Sequence, residues 1–352
     1  MVIVHHAGQA YSPVGGFWPV SDAAHAPILG PFFSVNASFG MPLLFLLSGY
    51  FVPGAFDRKG ARRFLRDRFV HLGGPLLRFS ALGFAPVLCV AYVRRPPAGV
   101  SLPLYLVRTL FGTWHLGHLW FLADLLFYVS VYAGWRTLRG SDVRTRPPAP
   151  LRQLPLVAFT LILAALTFAV RVRFPIDQWA SVLGVLPIEP AHFVRDTAFF
   201  AAGIVAYRRG WLGATPLRTG IVWLAVAVAG AATCFAVPLW SGGGFSAASL
   251  RWSLWETFLC TGFCVGLTTV ADHVVREPPR LVRLAVPAAF GAYVIHVVPV
   301  LGLQLLLVRA ALPALAKFAL VSLASVPLSF LFARRVSVAA DVGPGPCEGS
   351  IH

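Results

Sequence analysis

Apolar runs of about 20 residues, the length a helix needs to cross a bilayer, recur from residue 32 to residue 333 of this chain. Inside a bilayer no water is at hand for backbone N–H and C=O groups, so such runs are committed to helix. Nine stand out: Phe32 to Val52, Leu72 to Val93, His118 to Trp135, Leu154 to Phe174, His192 to Tyr207, Leu217 to Leu239, Ser253 to Ala271, Ala285 to Leu307 and Leu312 to Ala333. Of the 352 residues 57% are hydrophobic and 12% charged, which excludes a soluble globular domain. The expected fold is therefore all-α, a polytopic membrane helical bundle.

The net charge of +16 is carried mostly by arginine. Its clusters fall between apolar runs rather than along one polar face, so it reads as a topology signal and not as a nucleic-acid surface. Residues 7–31 hold no Lys or Arg, whereas the next loop holds Arg58, Lys59, Arg62, Arg63, Arg66 and Arg68. That contrast, repeated along the chain, places the second loop and the C-terminus in the cytoplasm and residues 7–31 outside. The segment before residue 7 should then cross the membrane, yet "MVIV" is too short to do so. The expectation is nine complete transmembrane helices plus the stub of a first, ten in a full-length version, with a start-site error or a truncation behind the missing part. A short re-entrant piece buried in protein is the alternative. Residues 1–335 form one membrane domain, with a Pro-rich basic linker at 144–155, and residues 336–352 lack periodicity and are expected to be a disordered tail.

Five cysteines fall mostly inside apolar runs, and Cys260 and Cys264 have no companion ligands, so they read as core residues and no metal site is expected. No Walker loop, HExxH helix or GxSxG elbow is present. The informative residues are the ionisable groups within spans, each costly enough to need a partner or a purpose. They are His5 and His6, Arg78, His118, Asp124, Arg195, Asp196, Glu256, His296 and Lys317. A histidine at a cavity mouth suits general-base work. Adjacent helical residues point about 100° apart, so only one of His5 and His6 can face an acceptor squarely. His118, Trp120 and Asp124 cluster at the outer end of the third run, where a Trp can stack on a sugar and a carboxylate can orient a base or bind hydroxyls. Interfacial anchoring is the better account of the first two, whereas Asp124 lies deeper. Arg195 and Asp196 can pair with each other, and Glu256 has no local partner. In the basic loop, Lys59, Arg62 and Arg66 share a helical face by spacing and suit phosphates.

Four stretches together resemble the membrane acyltransferase-3 family, in its glucan-modifying and uncharacterised bacterial branch: "VIVHHAGQAY", "NASFGMPLLFLLSGYFVPGAFDRKGARRFLRDRF", "HLWFLADLLFY" and "FGAYVIHVVPVL". The resemblance implies about ten transmembrane helices, a cytoplasmic acyl-CoA donor, usually acetyl-CoA, and transfer of the acyl group to a hydroxyl of an extracytoplasmic carbohydrate or glycan. It implies an essential histidine in the first helix, matched by His6 in preference to His5. It also implies an RxxR element for the donor. Here that stretch reads Arg66, Asp67, Arg68, Phe69, Val70, His71, so His71 stands in place of the second arginine if Arg68 is the first, while Arg63 and Arg66 also have the spacing. Donor binding is carried over to Arg66 and Arg68, with Lys59 and Arg62 beside them, and His118, Trp120, Asp124, Glu256 and His296 are candidates for holding the acceptor or supporting the base. The implied partners are the bilayer, acyl-CoA and the glycan, and the implied location is a bacterial cytoplasmic membrane. A transporter or flippase for a glycan or lipid, using the intramembrane His, Asp and Glu as a path, is the competing reading, and a catalytically degenerate family member is the other.

Overall fold

The computed structural model describes residues 1–14, 18–94, 96–109, 116–140, 147–182 and 186–339. In chain order its helices are α1 (Val2–Gln9), α2 (Leu29–Arg68), α3 (Gly74–Arg78), α4 (Phe84–Arg94), α5 (Leu102–Val107), α6 (Trp120–Arg139), α7 (Gln153–Arg173), α8 (Pro190–Arg208), α9 (Trp211–Ala214), α10 (Leu217–Ala236), α11 (Ala247–Val274), α12 (Arg280–Ile295), α13 (Val297–Leu307) and α14 (Ala314–Ala339). Between α7 and α8, where the apolar pattern leaves a loop, β1 (Ala180–Val182) and β2 (Leu186–Ile188) pair antiparallel, Ala180 opposite Ile188 and Val182 opposite Leu186.

The class is the one the sequence predicts, an all-α membrane protein. Five segments are long and apolar enough to cross a bilayer: Leu29–Arg78, Gln153–Arg173, Leu217–Ala236, Ala247–Val274 and Ala314–Arg335. Arg280–Ile295 and Val297–Leu307 together make a sixth, bent by 63°. The expected nine are not all met in this form, for physical reasons. Across the second run, Pro75 and Pro86 lack the N–H groups that would bond to the carbonyls of His71 and Leu82. The ladder slips there into π turns at Phe69–Gly73 and Phe79–Gly83, and one regular span becomes several short pieces. Helices α6 and α8 fall short in apolarity because one carries Asp124 and Arg136 and the other Arg195 and Asp196. The bend between α12 and α13 follows from Pro299, which leaves the carbonyl of Ile295 without its partner.

The chain divides into two compact units, Gly30–Ala81 with Val107–Arg276, and Met1–Leu29 with Leu82–Leu106 and Glu277–His352. In the first, α7, α8 and α11 pack around Leu163, Phe199, Cys260 and Cys264, with Phe39, Leu43 and Leu46 of α2 against them. Lipid offers no hydrophobic drive to hold helices together, so close backbone approach at small residues replaces it. A Cβ at Gly262 would meet the carbonyl of Trp223 at 2.6 Å, and one at Gly203 would run into the carbonyl of Leu46 and meet the amide of Tyr50 at 2.8 Å. In the second unit, α12 and α14 meet through Ala288, Ala292 and Ala333, and α1 lies on α13 and α14. Helix α14 continues past residue 335 to Ala339. The rest of the expected tail, with Cys347, and residues 141–146 at the start of the basic linker lie outside the described residues.

Gly203→Ala should therefore cost about 1–3 kcal/mol through forced separation of α2 and α8. Gly302→Ala, where a Cβ would touch nothing within 4 Å, should cost nothing. Thermal unfolding of the two variants in detergent checks the contrast.

Candidate functional site

The second unit holds the histidines. Helix α1 is eight residues long, and the last four carbonyls of any helix lack partners within it. Here the carbonyl of Gly8 accepts from the Tyr11 amide at 3.0 Å. Those of His6 and Ala7 accept from Nε2 of Gln304 on α13, at 3.1 and 3.0 Å. The same turn aims His6 at the break between α12 and α13, where His296 sits fully buried. His6 Nδ1 lies 2.6 Å from His296 Nε2, and His296 Nδ1 lies 2.6 Å from the carbonyl of Tyr293. The two rings are nearly coplanar, 11° apart with 4.9 Å between centres, the arrangement of an end-to-end imidazole pair.

Hydrogen-bond logic assigns the tautomers. A carbonyl only accepts, so His296 Nδ1 carries hydrogen. With both rings neutral, His296 Nε2 is then the acceptor and His6 Nδ1 the donor, which puts the His6 lone pair on Nε2. Trp18 lies parallel to His6, 5.1 Å away at 9°, and its Nε1 donates to Gln304 Oε1 at 2.6 Å. His5 stands edge-on to His6 at 84°. The segment carrying Trp18 is pinned by backbone bonds from Asp22 and Ala26 to the carbonyls of Ala10 and Tyr11, and by a buried ion pair between Asp22 and Lys317 at 2.8 Å.

In the other unit Glu256 acquires the partners its own helix does not supply. Its carboxylate meets Arg171 Nη2 of α7 at 2.5 Å and Arg195 Nη1 of α8, and His192 Nε2 lies 3.6 Å away. Arg195 Nε also reaches Asp196 at 3.4 Å. At the outer margin His192 Nδ1 bonds Glu189 at 2.9 Å, and Glu189 accepts the amide of Asp177, held at a left-handed φ of 68°. Burial alone would raise the Glu189 carboxyl, but the His192 charge and the bonds from His192 and Asp177 bring it below the usual range. Asp124 is buried, and its Oδ1 has no hydrogen-bond partner among the described residues. His118 meets Phe79 edge-on at 5.4 Å, and Trp120 meets Trp179 at 5.8 Å.

The same unit carries the basic loop. Gly60, at φ 71° and ψ 164°, breaks α2, and a cavity of about 900 Å³ opens at the bend, lined by Lys59, Arg62, Arg63, Arg66, Asp67 and His71 among others. This corrects the helical-face argument. The periodicity that joins Lys59 to Arg62 and Arg66 stops at Gly60, and Lys59 reaches the cavity from across the bend. Asp67 holds Lys59 at 2.5 Å, whereas Arg68 lies over the Phe64 ring at 5.3 Å and does not line the cavity. Just before the bend, Asp57 is gripped by Arg136 at 3.0 Å and by both terminal nitrogens of Arg208 at 2.5 and 3.0 Å, tying α2 to α6 and α8.

Of the sequence candidates, the fold brings His5, His6 and His296 together in one unit, and Lys59, Arg62 and Arg66 around one cavity in the other. It surrounds Glu256 with Arg171 and His192, which sequence reasoning passed over, and it adds Trp18 and Gln304 beside His6. Gln304 did carry a signal, as a lone amide in the apolar stretch "LGLQLLL".

These features define a multi-pass, all-α membrane protein with a half-buried histidine set on a buried one and a basic cavity at a helix bend. The chain belongs to the acyltransferase-3 family, whose model, described as an acyltransferase domain, matches residues 1–334. No curated protein and no solved structure matches it.

Breaking the Lys317–Asp22 pair from one side leaves a buried charge, so Lys317→Met should lower stability by about 3–5 kcal/mol. Adding Asp22→Asn removes the orphaned charge while retaining an acceptor for the Ala24 amide, and should recover most of that loss. A double-mutant cycle on thermal or denaturant unfolding measures both.

Proposed function

We propose that this chain transfers an acyl group, acetyl in the first instance, from cytoplasmic acyl-CoA to a hydroxyl of an extracytoplasmic carbohydrate or glycan. The observation that carries the reading is the chain His6, His296, Tyr293 carbonyl, which with both rings neutral fixes the hydrogen on His6 Nδ1 and so puts the basic lone pair on Nε2 of a half-buried ring. Family membership supplies acyl transfer as the reaction class. Nε2 takes the proton of the acceptor hydroxyl as its oxygen attacks the thioester carbonyl. A C–O bond forms, the C–S bond breaks, and the departing thiolate receives a proton to become coenzyme A. His296 keeps His6 in the tautomer this requires and steadies the imidazolium that forms, as the third member of a triad does for its histidine.

The basic cavity supports the donor half. Guanidinium groups pair bidentately with phosphates, and Arg62, Arg63 and Arg66 with Lys59 and His71 line a space suited to the phosphates of coenzyme A. The acceptor class rests on the family resemblance, and the acceptor-side roles of Asp124, Trp120 and His118 go with it. The run of arginine between apolar segments supports a cytoplasmic C-terminus and residence in the cytoplasmic membrane of a bacterium.

Membranes containing the chain should move label from acetyl coenzyme A into a glycan fraction. His6→Ala should lower this by about 100-fold or more, the contribution of a general base. Arg66→Ala should raise KM for acetyl-CoA and leave kcat near its original value. Unchanged turnover in His6→Ala removes the base assignment. Passage of unmodified glycan with no label transferred would favour the transporter reading instead.

A further inference from the structure

We propose that Gln304 is a positioning residue for the acyl transfer, clamping the end of α1 and the Trp18 indole so that His6 is held in its reactive orientation. The inference rests on the reading of His6 as the base. His296, Val300 and Gln304 stand at i, i+4 and i+8, one buried stripe at the start of and along α13, and none of the three is exposed. Helix α1 lies on α13. His296 meets the His6 side chain, and Gln304 meets the His6 main chain, so one stripe controls both ends of the same residue.

The amide orientation of Gln304 is unambiguous. An indole N–H can only donate and a carbonyl can only accept. Gln304 must therefore turn Oε1 to Trp18 Nε1, at 2.6 Å, and Nε2 to the carbonyls of His6 and Ala7, at 3.1 and 3.0 Å. Three polar groups are satisfied by one neutral side chain. In a continuing helix the carbonyls of His6 and Ala7 would accept from residues four positions on; Gln304 takes that role from a different helix. Trp18, drawn to Gln304 by its N–H, lies against one face of the His6 ring. His296 meets the ring at its Nδ1 edge and Trp18 lies on its face, while the two carbonyl bonds resist rotation of the helix end.

Only the donor and acceptor pattern of glutamine fits. Glutamate has nearly the same shape and can accept from Trp18, but it presents an oxygen to the two carbonyls. Methionine keeps length and packing and makes none of the three bonds.

The test uses the full chain in membranes, with acetyl-CoA as donor and turnover counted per folded protein. Gln304→Met and Gln304→Glu should each lower kcat by about 100-fold, the penalty of a reacting group displaced by roughly 1 Å, with KM for acetyl-CoA unchanged. A purely structural role predicts less folded protein and an unaltered kcat per folded molecule, and that result overturns the proposal. Should Gln304→Met fail to fold, the near-isosteric Gln304→Glu decides, and original kcat in that variant also overturns it. His6→Ala run in parallel separates the two ideas. If His6→Ala is inactive while the Gln304 variants turn over normally, the clamp fails and the base stands; if His6→Ala is active, the base assignment itself is lost.

Discussion

A polar group placed in hydrocarbon must find its partner on another piece of the same chain, because no water is there to serve. This requirement accounts for the contacts that matter in both units. Lys317 is met by Asp22, Glu256 by two arginines from different helices, the open carbonyls of α1 by Gln304, and His6 by His296. Apolar packing between helices is non-specific by comparison, since lipid tails are as good a neighbour as leucine. Specific relative placement of the helices within each unit comes from these polar pairings, together with the glycines and alanines that let backbones touch.

Candidate chemistry lies where the helical ladder fails, and for a common reason. An intact helix uses up its own N–H and C=O groups, whereas a break releases some of them to hold side chains. The early end of α1 frees the carbonyls that Gln304 takes. The break enforced by Pro299 brings His296 Nδ1 to the carbonyl of Tyr293. The left-handed Gly60 turns the chain so that cations from both arms of the bend surround one cavity.

How far the sequence speaks for the structure depends on whether a property is local. Long apolar runs and arginine clusters are local, so the all-α membrane class and the helical segments are legible. So are the polar residues within runs, among them His6, Glu256 and His296. Their pairings are not, because the partners are far away in sequence: His6 and His296 are 290 residues apart, and Arg195 and Glu256 are 61 apart. A survey of ionisable groups also passes over a neutral residue, which is why Gln304 is silent in it. Arg171 looks like an ordinary span terminus until the fold buries it completely. Spacing arguments fail where their assumed geometry fails, as at Gly60 for Lys59 and at the π turns for the run from Leu72 to Val93.

The two buried polar clusters differ in a way that bears on which of them does chemistry. Glu256 has an arginine within ion-pair distance of each oxygen, so its charge is compensated. Such an arrangement resists change and suits holding helices α7, α8 and α11 together. The histidine chain terminates on a backbone carbonyl rather than on a carboxylate, so with both rings neutral it carries no standing ionic cost in a medium of low dielectric. It does hold a lone pair at a defined atom and a partner able to stabilise the cation that forms when that lone pair takes a proton. A base working in such a medium needs an uncharged resting state and a prepared response to charge, and that combination is what the proposed role of His6 asks of the pair.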